Sequence, residues 1–193
     1  MLQRVRNNMI KEQQKKQEIG IVKKQGLLEN LAKTVFLGIG SNIGNRIKNI
    51  EKAKYFLSRQ KLCLISVSSF YETPSWPNPK NPRFLNIVIK LKCNYLPLEL
   101  LKICKDIEII LGRKKAKKNA PRVCDIDIID FNGLTSKVGN KINLPHKSMH
   151  KRNFVLFPLF EIQKNWVHPI KQNNVKKLIY GLPDKDIRSI KKI

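Results

Sequence analysis

Hydrophobic positions change period several times along this chain, and each change marks an element. Thr34–Ile39 is a short apolar run that reads as a buried strand, and it breaks at Gly40-Ser41-Asn42. Between Asn45 and Ser58, Ile47, Ile50, Ala53 and Leu57 recur at helical spacing, which predicts a helix with one apolar stripe. Leu62–Tyr71 is rich in Val, Ile, Ser and aromatic residues and reads as a second strand. Residues 72–83 carry Pro74, Pro77, Pro79 and Pro82, which predicts a long, stiffened loop. Phe84–Lys92 then alternates: Leu85, Ile87, Ile89 and Leu91 face one way, Phe84, Asn86 and Val88 the other. Pro97 opens a second helix with Leu100, Cys104, Ile107 and Leu111 as its stripe, and Gly112 stands where such a helix stops. After a basic loop over 113–122, Val123–Phe131 is the last strand of the series.

The order strand, helix, strand, strand, helix, strand predicts an α+β fold: a ferredoxin-like βαββαβ sheet with both helices on one face, followed by a C-terminal extension holding an apolar helix at Phe154–Ile162 and a tail. Side-chain parity then has a chemical consequence. If Ile126 and Ile128 face the helices, Asp125 and Asp127 point to the opposite, uncovered face. By the same alternation Phe84 and Asn86 share that face. Two carboxylates, an amide and an aromatic ring collected there are more than a structural surface requires.

Composition narrows the class. At 193 residues the chain suits one domain, and 41% apolar with 27% charged residues is a globular composition. No apolar run is long enough to span a bilayer, and the first residues lack an apolar signal core, so a cytoplasmic protein without a membrane partner is expected. Cys63, Cys93, Cys104 and Cys124 are scattered, with no CxxC pair, which argues against a disulfide framework or a zinc site. The formal charge is +25. Lys, Ile and Asn, all with AT-rich codons, make up 72 of the 193 residues, so the charge is read mainly as codon bias, with a phosphate site drawing on part of it. Residues 1–33 hold eight basic and three acidic side chains, many Gln and no aromatic ring. They are expected to form a disordered or loosely helical basic extension, or else an upstream start or a functional arm, leaving 34–193 as the domain.

The Asp125-Ile126-Asp127 pair sets two carboxylates about 7 Å apart on one face of a strand. Like charges that close favour a hard cation, and Mg²⁺ binds through one or two carboxylates plus substrate phosphates. A lone DxD also occurs as two solvated surface aspartates. Here, however, the ten residues 113–122 just upstream hold Arg113, Lys114, Lys115, Lys117, Lys118 and Arg122. Cations flanking such a pair describe a polyphosphate clamp. No GxxxxGK[ST] sequence is present, so a P-loop is excluded. His146 and Arg152, six residues apart after Pro145, are both able to reach a phosphate.

These motifs resemble, in order, those of the 6-hydroxymethyl-7,8-dihydropterin pyrophosphokinase family: Gly40-Ser41-Asn42-Ile43-Gly44, Ser69-Phe70-Tyr71-Glu72-Thr73-Pro74, Phe84-Leu85-Asn86, Glu108 with Gly112-Arg113, Pro121-Arg122 with Asp125-Ile126-Asp127-Ile128, and Leu144-Pro145-His146 with Arg152 and Phe154-Val155-Leu156. The resemblance runs from about Thr34 to Phe160. It implies transfer of pyrophosphate from ATP to the pterin hydroxymethyl group with release of AMP, in folate biosynthesis, by a monomer needing no nucleic acid. It implies that Asp125 and Asp127 hold two Mg²⁺ ions. It implies that Thr73, Pro74, Phe84, Asn86 and Phe154 form the pterin pocket, with Phe84 and Phe154 as the stacking pair. Glu108, Arg113, Lys115, Arg122, His146 and Arg152 match nucleotide and phosphate positions, with Arg113 and Arg122 taken as catalytic alongside the aspartates. The chain departs from the family at Asn119-Ala120, where many members carry Trp-Gly, in a basic loop one residue shorter, and at Lys105, where some place Gln. Two other classes compete with this reading: an RNA-binding module on an exposed ferredoxin-like sheet, and a DxD glycosyltransferase.

Overall fold

The computed structural model describes residues 32–114, 116, 119–138 and 142–193. The basic extension, up to residue 31, lies outside them, as does Lys115. Strand β1 (Lys33–Ser41) is central. Helix α1 (Arg46–Ser58) follows, opened by Asn45, whose side chain accepts from the Lys48 backbone N–H at 3.0 Å. Then come β2 (Cys63–Val67), β3 (Tyr71–Thr73), β4 (Phe84–Cys93), α2 (Pro97–Ile110) and β5 (Asp125–Phe131). A small hairpin, β6 (Ser136–Val138) with β7 (Ile142–Leu144), leads to a 3₁₀ turn at Met149–Lys151. Helices α3 (Asn153–Ile162), α4 (Val175–Tyr180) and α5 (Asp184–Ser189) and the short β8 (Lys191–Lys192) complete the chain. Among the described residues no helix is long and apolar enough to cross a membrane.

The fold is α+β on an antiparallel sheet. Its strand order is β5-β1-β4-β3-β8, with β2 also pairing β4. Both predicted helices pack on one face. Ile50, Ala53 and Leu57 of α1 and Leu100, Cys104 and Ile107 of α2 bury against Val35, Leu37, Ile39, Leu85, Ile87, Ile89, Leu91, Ile126 and Ile128 of the sheet. Ile47 does not join them and stays 52% exposed. At 3.6 residues per turn it lies about 60° round the helix from Ile50, on the side away from Ala53.

The predicted strand Leu62–Tyr71 is two strands. Ser68 interrupts it: its hydroxyl donates to the Ser69 carbonyl and accepts from the Val88 N–H, while the Ser69 N–H leaves the ladder for Glu161. Side-chain bonding of this kind competes with strand pairing. Glu72 and Thr73, assigned to the Pro-rich loop by sequence, extend β3 and pair with Leu85 and Phe84.

The opposite sheet face is not uncovered, as parity alone predicts. Phe36, Val88 and Ile129 project from it into a second core with Met149, Val155, Leu156 and Leu159, closed by Trp166, Val175, Leu178, Ile179 and Leu182. The C-terminal extension is thus a folded cap over half of the face. A bulge sharpens the arrangement: Leu37 pairs with Ile128 but Phe36 pairs with Asp130, leaving Ile129 as the extra residue. Ile129 and Asp130 both turn toward the cap, where Asp130 accepts from the Trp166 indole N–H at 2.8 Å. Simple alternation would have put Asp130 among the helices.

Candidate active site

What the cap leaves open is a cavity over the upper half of the same face. Gly38 and Gly40 of β1 form part of its floor, with Phe84 and Asn86 of β4 on one side and Asp125 and Asp127 of β5 on the other. Gly40 is required by close approach, since a Cβ there would sit 2.8 Å from Asn86 Oδ1 and 3.3 Å from the Phe84 ring. The walls are Thr73, Pro74 and Trp76 from the Pro-rich loop, Asn119 and Arg122 from the basic loop, and Arg152, Phe154 and Val155 from the start of α3. The open space, mouth included, is about 640 Å³, enough for a bicyclic ring and phosphate groups.

The carboxylates are held by guanidinium groups. Asp125 accepts from Arg113 Nη1 at 2.6 Å and pairs with Arg122 Nη2 at 2.8 Å. Burial pushes its pKa up, but Arg122 and Arg113 outweigh that and hold it below the usual carboxylate range. Asp127 faces Arg152 at 3.5 Å and His146 Nε2 at 3.9 Å, the latter longer than a hydrogen bond. His146 accepts the Ser148 N–H on Nδ1, and burial lowers its pKa against the pull of Asp127, so the imidazole is neutral near pH 7. Under this layer Glu108 is 2% exposed. It accepts from Lys105 Nζ at 2.6 Å, from the Ile126 N–H at 2.7 Å and from Arg113. Arg113 therefore bridges Glu108 and Asp125, fixing the first carboxylate of β5 to α2.

Two further contacts involve flat groups. The Arg122 guanidinium lies 5.4 Å from the centre of the Phe84 ring. That of Arg152 lies between the rings of Trp76 and Phe154, at 5.4 and 5.5 Å. The Nε atoms of both arginines are buried with no hydrogen-bond partner among the described residues. At the far side Asn86, 6% exposed, donates to the Thr73 hydroxyl at 3.3 Å and keeps its remaining amide groups for the cavity.

A protein-family model for 7,8-dihydro-6-hydroxymethylpterin-pyrophosphokinase (HPPK) matches residues 36–164. The chain belongs to the HPPK family. The 2-amino-4-hydroxy-6-hydroxymethyldihydropteridine pyrophosphokinase of Aquifex aeolicus is 39% identical to it over 148 residues, 75% of this chain and 89% of that one. The folic acid synthesis protein FOL1 of Dictyostelium discoideum is 37% identical over 78% of this chain, but the match spans only 22% of that longer protein. Among solved structures, wild-type Plasmodium falciparum HPPK-DHPS with pteroate superposes with a TM-score of 0.62 at 17% identity, covering 76% of this chain and 42% of that one. At that identity the likeness speaks for the fold.

For this HPPK chain, nine of the residues singled out by sequence line the cavity: Thr73, Pro74, Phe84, Asn86, Arg122, Asp125, Asp127, Arg152 and Phe154. Arg113 and His146 stand behind it, each beside a carboxylate that lines it. Glu108 does not reach the cavity; it supports the layer above. Sequence reasoning missed Asn42 and Trp76. Asn42, 3% exposed, accepts the Arg122 N–H at 2.7 Å and donates to the Ser75 hydroxyl and the Pro82 carbonyl, tying the basic loop to the Pro-rich loop. Its place inside Gly40-Ser41-Asn42 was the available signal. Trp76 is the lone aromatic residue of its loop.

Proposed function

We propose that the cavity binds ATP and 6-hydroxymethyl-7,8-dihydropterin and transfers the β,γ-pyrophosphate of ATP to the pterin hydroxymethyl oxygen, giving AMP and the pterin diphosphate, a step of folate biosynthesis. The observation that carries this reading is the meeting, on one half-open sheet face, of paired carboxylates, two arginines with unused Nε donors, and two aromatic rings beside a buried amide. A flat heteroaromatic substrate needs the rings and the amide, and a triphosphate needs the cations.

The substrate alcohol attacks the β-phosphorus in line, the bond from that phosphorus to the oxygen shared with the α-phosphate breaks, and AMP leaves with the electron pair while the hydroxyl proton goes to solvent. Phe84 and Phe154 would flank the pterin, and Asn86, braced by Thr73, would read its polar edge. Both arginines would turn from the rings they cover toward phosphate oxygens, where guanidinium groups meet the charge that develops in the transition state. Arg113, anchored on Glu108, would hold Asp125 in place throughout.

Asp125 and Asp127 fit Mg²⁺. They are hard oxygen donors on one face, and the described residues contain no cluster of three or more His, Cys, Asp or Glu that would suit a fully protein-caged metal. Two bound ions would orient the triphosphate and neutralise its charge. Residues 34–193 are proposed to carry the activity on a ferredoxin-like sheet, a topology supported by the order β5-β1-β4 with β2 and β3 at the next position. An RNA-binding role finds less support, because α3 and α4 cover half of the face on which bases would stack.

The test is an assay of nucleotide products with ATP, Mg²⁺ and the hydroxymethyl-dihydropterin. AMP release that depends on pterin is expected; ADP, or no pterin dependence, refutes the proposal. Asp127→Ala should lose turnover while its melting temperature stays near that of the parent, since Asp127 is partly solvated.

A further inference from the structure

Arg152 and Phe154 line the cavity, but the residue between them does not. Asn153 is 8% exposed and its amide is engaged on both sides. Its Nδ2 donates to the Asp186 carbonyl at 2.6 Å and to the Ser189 hydroxyl at 3.1 Å, while its Oδ1 accepts the Phe154 N–H at 2.7 Å. Asp186 and Ser189 belong to α5, beyond the residues 36–164 that the family model matches. Helix α5 is itself fixed. The Ser189 hydroxyl donates to the Asp186 carbonyl at 2.9 Å, and the Ser189 carbonyl accepts from Arg83 Nη2 at 3.4 Å. Ile187 packs against the second core. Strand β8, just after α5, pairs with Tyr71 and Glu72 of β3, and Lys192 Nζ donates to Glu161 of α3 at 2.9 Å. Residues 184–193 therefore tie the start of α3 to β3, and each of these elements brings a residue, Phe154 or Thr73, to the cavity wall.

We infer that Asn153 is a positioning residue for the pterin site: bonded to Asp186 and Ser189 of α5, it fixes the direction in which Phe154 enters the cavity. This rests on the pterin reading proposed above and adds to it a C-terminal segment outside the family match. The physical reason lies in the first turn of α3. The first N–H groups of a helix have no partner within it, so its entry path is set by side chains at that end. Here Asn153 takes the Phe154 N–H with one atom and locks to α5 with the other. A ring that stacks on a flat substrate must be held in one orientation by its surroundings. Without the bonds to α5 the first turn loosens, and binding has to pay the cost of ordering the ring. The triphosphate is met by Arg122, Asp125 and Asp127 from other elements, so ATP should lose less. A role confined to stability would lower the folded fraction and hence the apparent kcat, leaving both KM values alone.

The experiment measures kcat, the KM for pterin, the KM for ATP and the melting temperature. It compares the full chain with Asn153→Ala, Asn153→Asp, Ser189→Ala and the double variant Asn153→Ala with Ser189→Ala. Asn153→Asp keeps the shape and the acceptor for the Phe154 N–H, but an ionised carboxylate cannot donate to the Asp186 carbonyl. Both Asn153 variants are expected to raise the pterin KM about tenfold, with kcat and the ATP KM within about threefold of the parent. Ser189→Ala removes a hydroxyl that bonds Asn153 from outside the cavity lining, and should raise the pterin KM about threefold. In the double variant it should add nothing, since its effect passes through Asn153. A folded Asn153→Ala with the parent's pterin KM, equal losses for both substrates, or a Ser189→Ala effect that persists in the double variant overturns the inference. Should Asn153→Ala not fold, Ser189→Ala decides, and an unchanged pterin KM there overturns it. Failure of the parent to make pterin diphosphate at all would instead overturn the reaction on which it rests.

Discussion

Each acidic residue of this site is defined by its counter-ions. Asp125 keeps its charge because two guanidinium groups outweigh its burial, while Glu108, deeper still, has its pKa raised by burial despite Lys105. Glu108 consequently matters to the site from outside the cavity. Glu108→Ala would leave the buried Ile126 N–H without its acceptor and take one acceptor each from Lys105 and Arg113, which keep the Ile126 carbonyl and Asp125. We expect a loss at the low end of about 3–5 kcal/mol, since both cations keep contact with water. Chemical denaturation checks this, and a loss under 1 kcal/mol would show that Glu108 is dispensable. The resemblance assigns it a nucleotide contact; the structure shows it bonded to Arg113 and to the β5 backbone, outside the cavity lining. That difference could not be read from the sequence, because spacing along α2 places Glu108 next to Ile107 without saying which neighbour covers it.

Elements, next, were legible where one period runs without interruption. Helix α2 was read from Pro97 to its Gly112 stop, and β4 was read with the correct faces. The strand broken at Ser68 was not, since a serine that bonds the backbone looks like any other serine in sequence. The segment after α3 was least legible: its elements are short and owe their order to contacts with the sheet. One such device is His168, buried, whose Nδ1 accepts the N–H groups of Ile170 and Lys171 at 3.2 Å each. Burial first, then Lys171, lower its pKa; Lys171 and His150 are the titratable or charged groups facing it, and the Trp166 ring packs beside it. An imidazolium could not accept those bonds. Below about pH 6.5 the unfolded chain takes up a proton that the folded imidazole resists, so stability present above that pH is lost as pH falls toward the folded-state value. The melting temperature should drop between about pH 7.5 and 5.5, and His168→Asn, which keeps an acceptor without the titration, should flatten the drop. An equal drop in parent and variant would assign it to other groups.

Across the whole molecule, two cores share one sheet. The first lies under α1 and α2, the second under α3 and α4, and the cavity is the part of the second face that the cap does not reach. Phe154, in the first turn of α3, lies at the cavity, while Leu159, five residues on, is fully buried in the second core. Leu159→Ala should cost ~2–5 kcal/mol. Because α3 carries Phe154 and follows directly on Arg152, the folded fraction should also bind pterin more weakly. Denaturation together with a pterin titration checks both, and unchanged binding would mean that the cap does not position the ring.

The sequence by itself determined the α+β class, the alternation that sends Asp125, Asp127, Phe84 and Asn86 to one side of the sheet, and the cations that accompany them, because period-two and period-3.6 patterns are local properties of a chain. Tertiary structure alone decided which part of that side remains open, which acids are paired with which arginines, that Glu108 lies beneath the site rather than in it, and that Trp76 stands at the mouth. Those outcomes depend on distances between residues far apart in the chain, such as Asn42 to Arg122 and Trp166 to Asp130, and no periodicity encodes them.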